Sequence, residues 1–308
     1  MADFDRTVDV GVRTAAFSWL DSLVLTHGEV LPRVALEQGF VFDSRRVCVI
    51  GPSGIFKPAL LHAPLSITSS PNGPYDDAFA PSGLLRYRYR GTDPGHRDNV
   101  GLRYAMEKQL PLVYFHGILP GRYLAIWPVY VVHDFPEALT FSVAVDDAAN
   151  LEFRAQPETA GLQVAEVRRQ YVTTLTRRRV HQTAFRERVL RAYRHRCSFC
   201  RLRHSELLEA AHIIPDPEPE GEPVVSNGLS LCRLHHAAFD RFFVGVRPDH
   251  VIHVRTDVLE ESDGPTLRHA IQGLHGQRIT LPRKLGERPG VQRLEERYQR
   301  FLDATKVA

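Results

Sequence analysis

NGLSLCRLHHAAFD, residues 227–240, brings an asparagine, a cysteine, two adjacent histidines and an aspartate into one short stretch. On a helix successive side chains are rotated by about 100°. His235 and His236 therefore cannot face the same site, and each needs its own explanation.

His235 is explained by cysteine spacing. CSFC supplies Cys197-x-x-Cys200, and CRLH supplies Cys232-x-x-His235 further along. Two such pairs on separate knuckles offer the four tetrahedral ligands of a structural zinc. A redox role for CxxC lacks its usual sequence context here, and three cysteines gathered beside histidines favour metal over disulfide. The fourth, Cys48, lies in the apolar run VCVIG and reads as a buried core thiol.

His236 belongs to a second pattern threaded through the first. LLEAAHIIP (207–215) is a strand-like run with one histidine, His212, followed by Asn227 in SNGLSL and then by His236. The segments EAAHIIP, NGLSLC and LHHAAFD, in this order, resemble the HNH nuclease family over roughly residues 183–250. That resemblance implies a β-hairpin packed on a helix with a divalent metal between them. It implies His212 as general base, Asn227 orienting that base or helping to bind metal, and His236 as a metal ligand. The residue types suit the chemistry: imidazole, with an ordinary pKa near 6.5, is available to take a proton from water. A divalent ion, Mg2+ or Mn2+ by expectation, stabilises charge on the attacked phosphodiester.

One departure from the family stands at Ala211, where many members carry a further metal ligand. Asp240 is the expected replacement, being four residues beyond His236 and on the same helix face; the alternative is a surface carboxylate. Glu209 is a weaker candidate, because its strand position does not share a face with His212.

The composition agrees with a folded nucleic-acid enzyme. The 308 residues fit two domains, 43% hydrophobic and 24% charged, with a formal net charge of only +3. The basic excess is local: twelve arginines against one acid, Glu187, between Arg168 and Arg203. Such a block suits a polyanion, the plainer reading being a solvated helix face. Arg178, Arg179, Arg194 and Arg196 are its candidate DNA contacts. His195 and His204, beside the CxxC, are read as incidental, and His250 and His253 as structural. No apolar run approaches the ~18 residues of a membrane span, and the first residues lack a signal-peptide pattern. A cytoplasmic, bacterial protein with no membrane partner is expected.

The first half has a different texture. Residues 10–26 and 29–38 read as helices, and FVF with VCVI, divided by DSRR, as a hairpin, together a small winged-helix-like unit. LLRYRYRG, LPLVYFHG, RYLAIWPVYVV and ALTFSVAV then read as strands, with GLRYAMEKQ as a helix between the first two. This layout is similar to modification-dependent restriction endonucleases, in which an SRA-like module of the PUA superfamily captures a modified base. Bases flipped from the stack are held by aromatic rings, so Tyr75, Asp76, Tyr87 and Tyr89 are candidate contacts, the alternative for the last two being core packing.

The expected fold class is α+β. A β-rich PUA/SRA-like barrel (1–150), an Arg-rich linker (151–182) and a zinc-stabilised ββα-metal HNH domain (183–308) follow one another. The expected activity is endonucleolytic cleavage of double-stranded DNA carrying a modified base or backbone, in a restriction system. A single such site nicks one strand, so a homodimer is expected. The rivals are an HNH nuclease directed by plain sequence or by a partner, and a non-catalytic zinc-containing DNA-binding protein.

Overall fold

The apolar runs at 112–119 and 122–135 are the central strands of a seven-stranded sheet in a computed structural model that describes residues 6–71, 84–146 and 162–305. The chain divides into two units, Met1–Val180 and His181–Ala308.

In the first unit α1 (Arg6–His27) buries Val12, Ala16, Phe17 and Leu20, spaced to share one face. The same face buries Arg13, whose charge is met by Asp9 at 2.6 Å and by the carbonyls of Pro64 and Pro111. A buried guanidinium needs that full set of partners to offset its desolvation. Then come β1 (Val30–Pro32), α2 (Arg33–Gln38) and the hairpin of β2 (Phe40–Phe42) and β3 (Arg45–Val47). Asp43 and Ser44, with φ of 51° and 59°, form its two-residue turn, the geometry that matches strand twist. Cys48 follows the hairpin and is half-buried rather than a core thiol.

The sheet proper adds β4 (Ile55–Phe56), β5 (Ser66–Thr68), β6 (Leu85–Arg88), β7 (Leu112–Leu119), β8 (Arg122–Phe135) and β9 (Thr140–Val145), with α3 (Arg97–Glu107) before β7. Their order is β4-β5-β7-β8-β9-β6, with β1 also paired to β8 and β5 parallel to β7. Among the described residues β4 and β6 are the two ends of the strand order, each paired on one side, and the expected PUA/SRA-like barrel is not shown. Nor is the helical N-terminus a separate winged-helix unit. Leu20, Leu36 and Val47 share one core with Val113 and Phe115 of the sheet, and β1 is one of its strands.

Within the segment expected as an Arg-rich linker, residues 151–182, α4 begins and runs Leu162–Ala192, with neither Gly nor Pro to interrupt it. Within the first unit Arg169 meets Asp146 at 3.0 Å and lies over the Tyr130 ring.

In the second unit α4 buries Phe185, Val189 and Leu190, and Tyr193, just past its end, is buried beside them. The helix packs on the hairpin of β10 (Leu208–His212) and β11 (Gly228–Cys232), where His212 pairs with Gly228. A Cβ at Gly228 would stand 2.5 Å from Val189 and 2.9 Å from Phe185, so glycine is what lets the helix approach. Then follow α5 (Arg233–Asp240), the β12 (Val244–Val246) and β13 (Ile252–Val254) pair, α6 (Thr256–Glu260), α7 (Pro265–Ala270) and α8 (Val291–Thr305). The ββα arrangement expected of residues 208–240 is present.

Candidate active site and metal centre

The short helix α5 begins directly at the end of β11 and divides the two histidines as the 100° rotation requires. His235 is buried, whereas His236 is part-exposed.

His235 joins Cys197, Cys200 and Cys232, and the four donor atoms lie within 4.8 Å of one another. Its Nδ1 stands 3.2 Å from the Cys232 sulfur and 3.4 Å from that of Cys197. Its Nε2 lies 2.7 Å from the carbonyl oxygen of Ala270. A carbonyl only accepts, so Nε2 carries the proton and Nδ1 turns its lone pair to the sulfurs. A backbone partner fixing the tautomer of a ligating histidine is the usual support of a zinc site. All four cysteines are free of disulfides. Hydrogen bonds from Cys197 and Cys200 pull the Cys232 thiol far below its ordinary value. Three soft sulfurs and one imidazole nitrogen, closely grouped, fit zinc. The knuckle turns are closed by backbone bonds from Cys197 N to Leu202 O and from Arg201 N to Cys197 O.

The second site lies on the exposed side of the same hairpin and helix. His236 Nδ1 is 2.7 Å from Glu209 Oε2, and His236 Nε2 is 3.3 Å from Asp240 Oδ2. A neutral imidazole donates from one nitrogen only, and a carboxylate only accepts. With the proton on Nδ1 toward Glu209, the Nε2 lone pair and the Asp240 carboxylate converge on one place. That donor pair fits a divalent cation, with Glu209 orienting the imidazole from behind. The strand position of Glu209 relative to His212 makes it a weak candidate in the sequence; its partner is instead the histidine on α5. Arg233 stands 3.4 Å from the other Glu209 oxygen.

His212, at the end of β10, stacks on Phe185 with centroids 4.0 Å apart and planes 19° from parallel. Its Nε2 is buried and has no hydrogen-bond partner within the protein. Burial lowers its pKa below the ordinary 6.5, and the carboxylates of Asp216 and Asp240 oppose. The ring is therefore a neutral imidazole at neutral pH, with one nitrogen uncommitted. Phe185 and Asp216 stand outside the motif segments quoted from the sequence, so neither signals this role.

Asn227 is fully buried and saturated by backbone. Its Oδ1 accepts from Ile214 N at 2.9 Å, and its Nδ2 donates to the carbonyls of Ile214 and Glu222. It clamps the chain at Ile214, two residues beyond His212, entirely by bonds to backbone.

Helix α8 secures the rest of the frame. Arg300 grips Glu218 with both terminal nitrogens, at 2.8 and 2.6 Å. Arg293 reaches Ser226 Oγ and Glu222. The acidic, Pro-rich loop is thereby tied down. Arg297 lies between the Phe239 and Phe242 rings, donates to the Phe239 carbonyl and stands 3.9 Å from Asp240 Oδ1. A cation at the C-terminal end of α5 complements its dipole. His253 is structural, bonded to Tyr298 at 2.7 Å.

The remaining candidates fall elsewhere. The structure takes the packing alternative for Tyr87 and Tyr89, whose rings are buried. Tyr87 donates to the Gly54 carbonyl. Tyr89 stacks on Phe141 at 4.5 Å and bonds Asp134 and Arg103. Neither ring has a face open to a base, so the base-contact reading of both is corrected. Tyr75 and Asp76 lie outside the described residues. Arg179 pairs with Glu29 at 2.6 Å, both side chains exposed, and Arg178 is exposed. Arg194 and Arg196 sit at the zinc knuckle.

Residues 197–247 match the family described as HNH endonuclease, from the first zinc cysteine to just past β12. No curated protein matches the chain. Among solved structures the chain is similar to a modification-dependent TagI restriction endonuclease, at 14% identity over 77% of this chain and 81% of that one. The TM-score is 0.29, and an overlay that loose carries no argument.

Proposed function

We propose that the second unit hydrolyses phosphodiester bonds of double-stranded DNA, with His212 as general base. The observation that carries this reading is the His212 ring itself: stacked, neutral, with an unbonded Nε2, and within electrostatic reach of Asp240. The family match over 197–247 supports it.

Nε2 of His212 accepts a proton from water as the oxygen attacks phosphorus. The bond from phosphorus to the 3′ oxygen breaks, that oxygen leaves as a hydroxyl once protonated, and the phosphate stays on the 5′ end. Phe185 holds the imidazole plane, and Asn227 holds the backbone beyond it. His236 and Asp240 would hold Mg2+ or Mn2+, which supplies Lewis-acid stabilisation of the developing charge. Glu209 keeps His236 in the ligating tautomer. The test compares wild type with His212→Ala on duplex DNA in Mn2+ or Mg2+. Cleavage by wild type alone supports the reading, and equal absence of cleavage leaves only a zinc-containing DNA-binding protein.

The first unit, we infer, directs cleavage to DNA carrying a modified base or backbone, as a bacterial restriction enzyme acting as a homodimer would require. A separate β-rich unit with its own core supports this, since a site that touches backbone alone reads no sequence. Equal cutting of modified and unmodified duplexes of one sequence would overturn it.

A further inference from the structure

Several arginines of the arginine-rich segment are spent on partners within their own unit. Arg169 is spent on Asp146, Arg179 on Glu29, Arg186 on Glu187 and two carbonyls, and Arg188 on the carbonyls of Ala184 and Pro223. Arg194, Arg196, Arg201 and Arg203 have no carboxylate partner among the described residues. Three of the four are exposed, and Arg196 is part-exposed.

The zinc knuckle gathers these four. Cys197 N bonds Leu202 O, which sets the two flanking residues, Arg196 and Arg203, beside each other; Arg201 N bonds Cys197 O on the same turn. Arg194, His195 and Arg201 also adopt positive φ, at 54°, 50° and 65°. That conformation is uncommon for side chains of this size, and it is held at the three positions that turn the chain around the metal. A closed knuckle thus maintains like charges together at a cost in repulsion and backbone strain, with nothing of its own to neutralise them.

We propose that the zinc knuckle is a phosphate-gripping surface: Arg194, Arg196, Arg201 and Arg203 together bind the sugar–phosphate backbone of the DNA. Guanidinium forks match phosphate oxygens bidentately, and a closed knuckle turn presents them from backbone that is already ordered. The choice of DNA over another polyanion rests on the nuclease reading; the surface itself does not.

The test measures binding of a fluorescent duplex to His212→Ala protein by anisotropy across a range of NaCl, with no chelator so that zinc stays bound. Each phosphate contact contributes about 0.9 to the slope of log K against log salt. Arg196→Gln with Arg203→Gln is expected to lower the slope by about two and to retain full zinc by metal analysis. An unchanged slope with zinc retained overturns the proposal, as does an equal fall in Lys284→Gln, which removes one paired charge elsewhere. Should the double variant lose zinc, Arg194→Gln with Arg201→Gln, both exposed, replaces it: a fall in slope of about two supports the proposal, and an unchanged slope overturns it. If wild type binds with the expected slope but cuts nothing in Mn2+, the nuclease reading fails while the surface stands.

Discussion

Glu209 on β10 holds Nδ1 of His236 on α5 at 2.7 Å, a link between a strand and a helix that leaves the other nitrogen of the ring for Asp240. On the proposed function, Glu209 is a positioning residue for the imidazole that would hold the cation. Glu209→Gln keeps the shape but no longer stabilises the proton on Nδ1. Losing such a support typically costs 10–100-fold in metal affinity or activity. The Mn2+ concentration for half-maximal cleavage should rise by about that factor, with kcat at saturating Mn2+ much less affected. A fall in kcat with an unchanged Mn2+ requirement would contradict the assignment.

This pair also shows what the sequence can and cannot carry. Cys197, Cys200, Cys232 and His235 are legible because zinc ligands come as close pairs at fixed spacing, and Asp240 because helix faces repeat every four residues. Glu209 is not, because its partner lies on another element, and strand alternation says nothing of that. Tyr87 and Tyr89 are ambiguous for a related reason: alternation gives two faces without saying which is covered. The strand order is not legible either, since strand texture is the same in a closed barrel and an open sheet.

Zinc removal should unfold the second unit. Cys197→Ser removes one of four ligands at a fully buried position, and metal sites of this kind contribute directly to folding. The variant is expected to lose its zinc by elemental analysis, and thermal denaturation should show an earlier transition. Full zinc content with an unchanged Tm would contradict a structural site.

Gly228→Ala tests the approach of α4 to the hairpin. The added methyl would meet Val189 and Phe185 at 2.5 and 2.9 Å, and overpacking of this kind costs about 1–3 kcal/mol. Because Phe185 stacks on His212, cleavage should fall further than stability alone explains. Urea denaturation and kcat measured on the folded fraction separate the two.

Asn227→Ala distinguishes a loop clamp from a metal ligand. The substitution leaves Ile214 N and O without their side-chain partners, at about 1–3 kcal/mol for each buried group left unsatisfied. Stability and kcat should fall while the Mn2+ requirement stays where it was, opposite to Glu209→Gln. A raised Mn2+ requirement would return Asn227 to the metal.

The pH profile follows from the environment of His212. Burial favours its neutral form, and a cation at His236 and Asp240 acts in the same direction. The acid limb of kcat/KM should therefore lie below pH 6.5, with activity retained through pH 7, and His212→Ala should lower the rate by about 10²–10⁴-fold. The same shift sets a stability term. The unfolded chain takes up a proton at a higher pH than the folded one, so this contribution is present above pH 6.5 and is lost as pH falls through the lowered folded value. Wild type should thus lose stability relative to His212→Ala on acidification below pH 6.5, and not between pH 7 and 8. Parallel urea titrations of the two proteins across that range measure it; an acid limb above pH 6.5, or parallel stability curves, would remove His212 from the role of buried base.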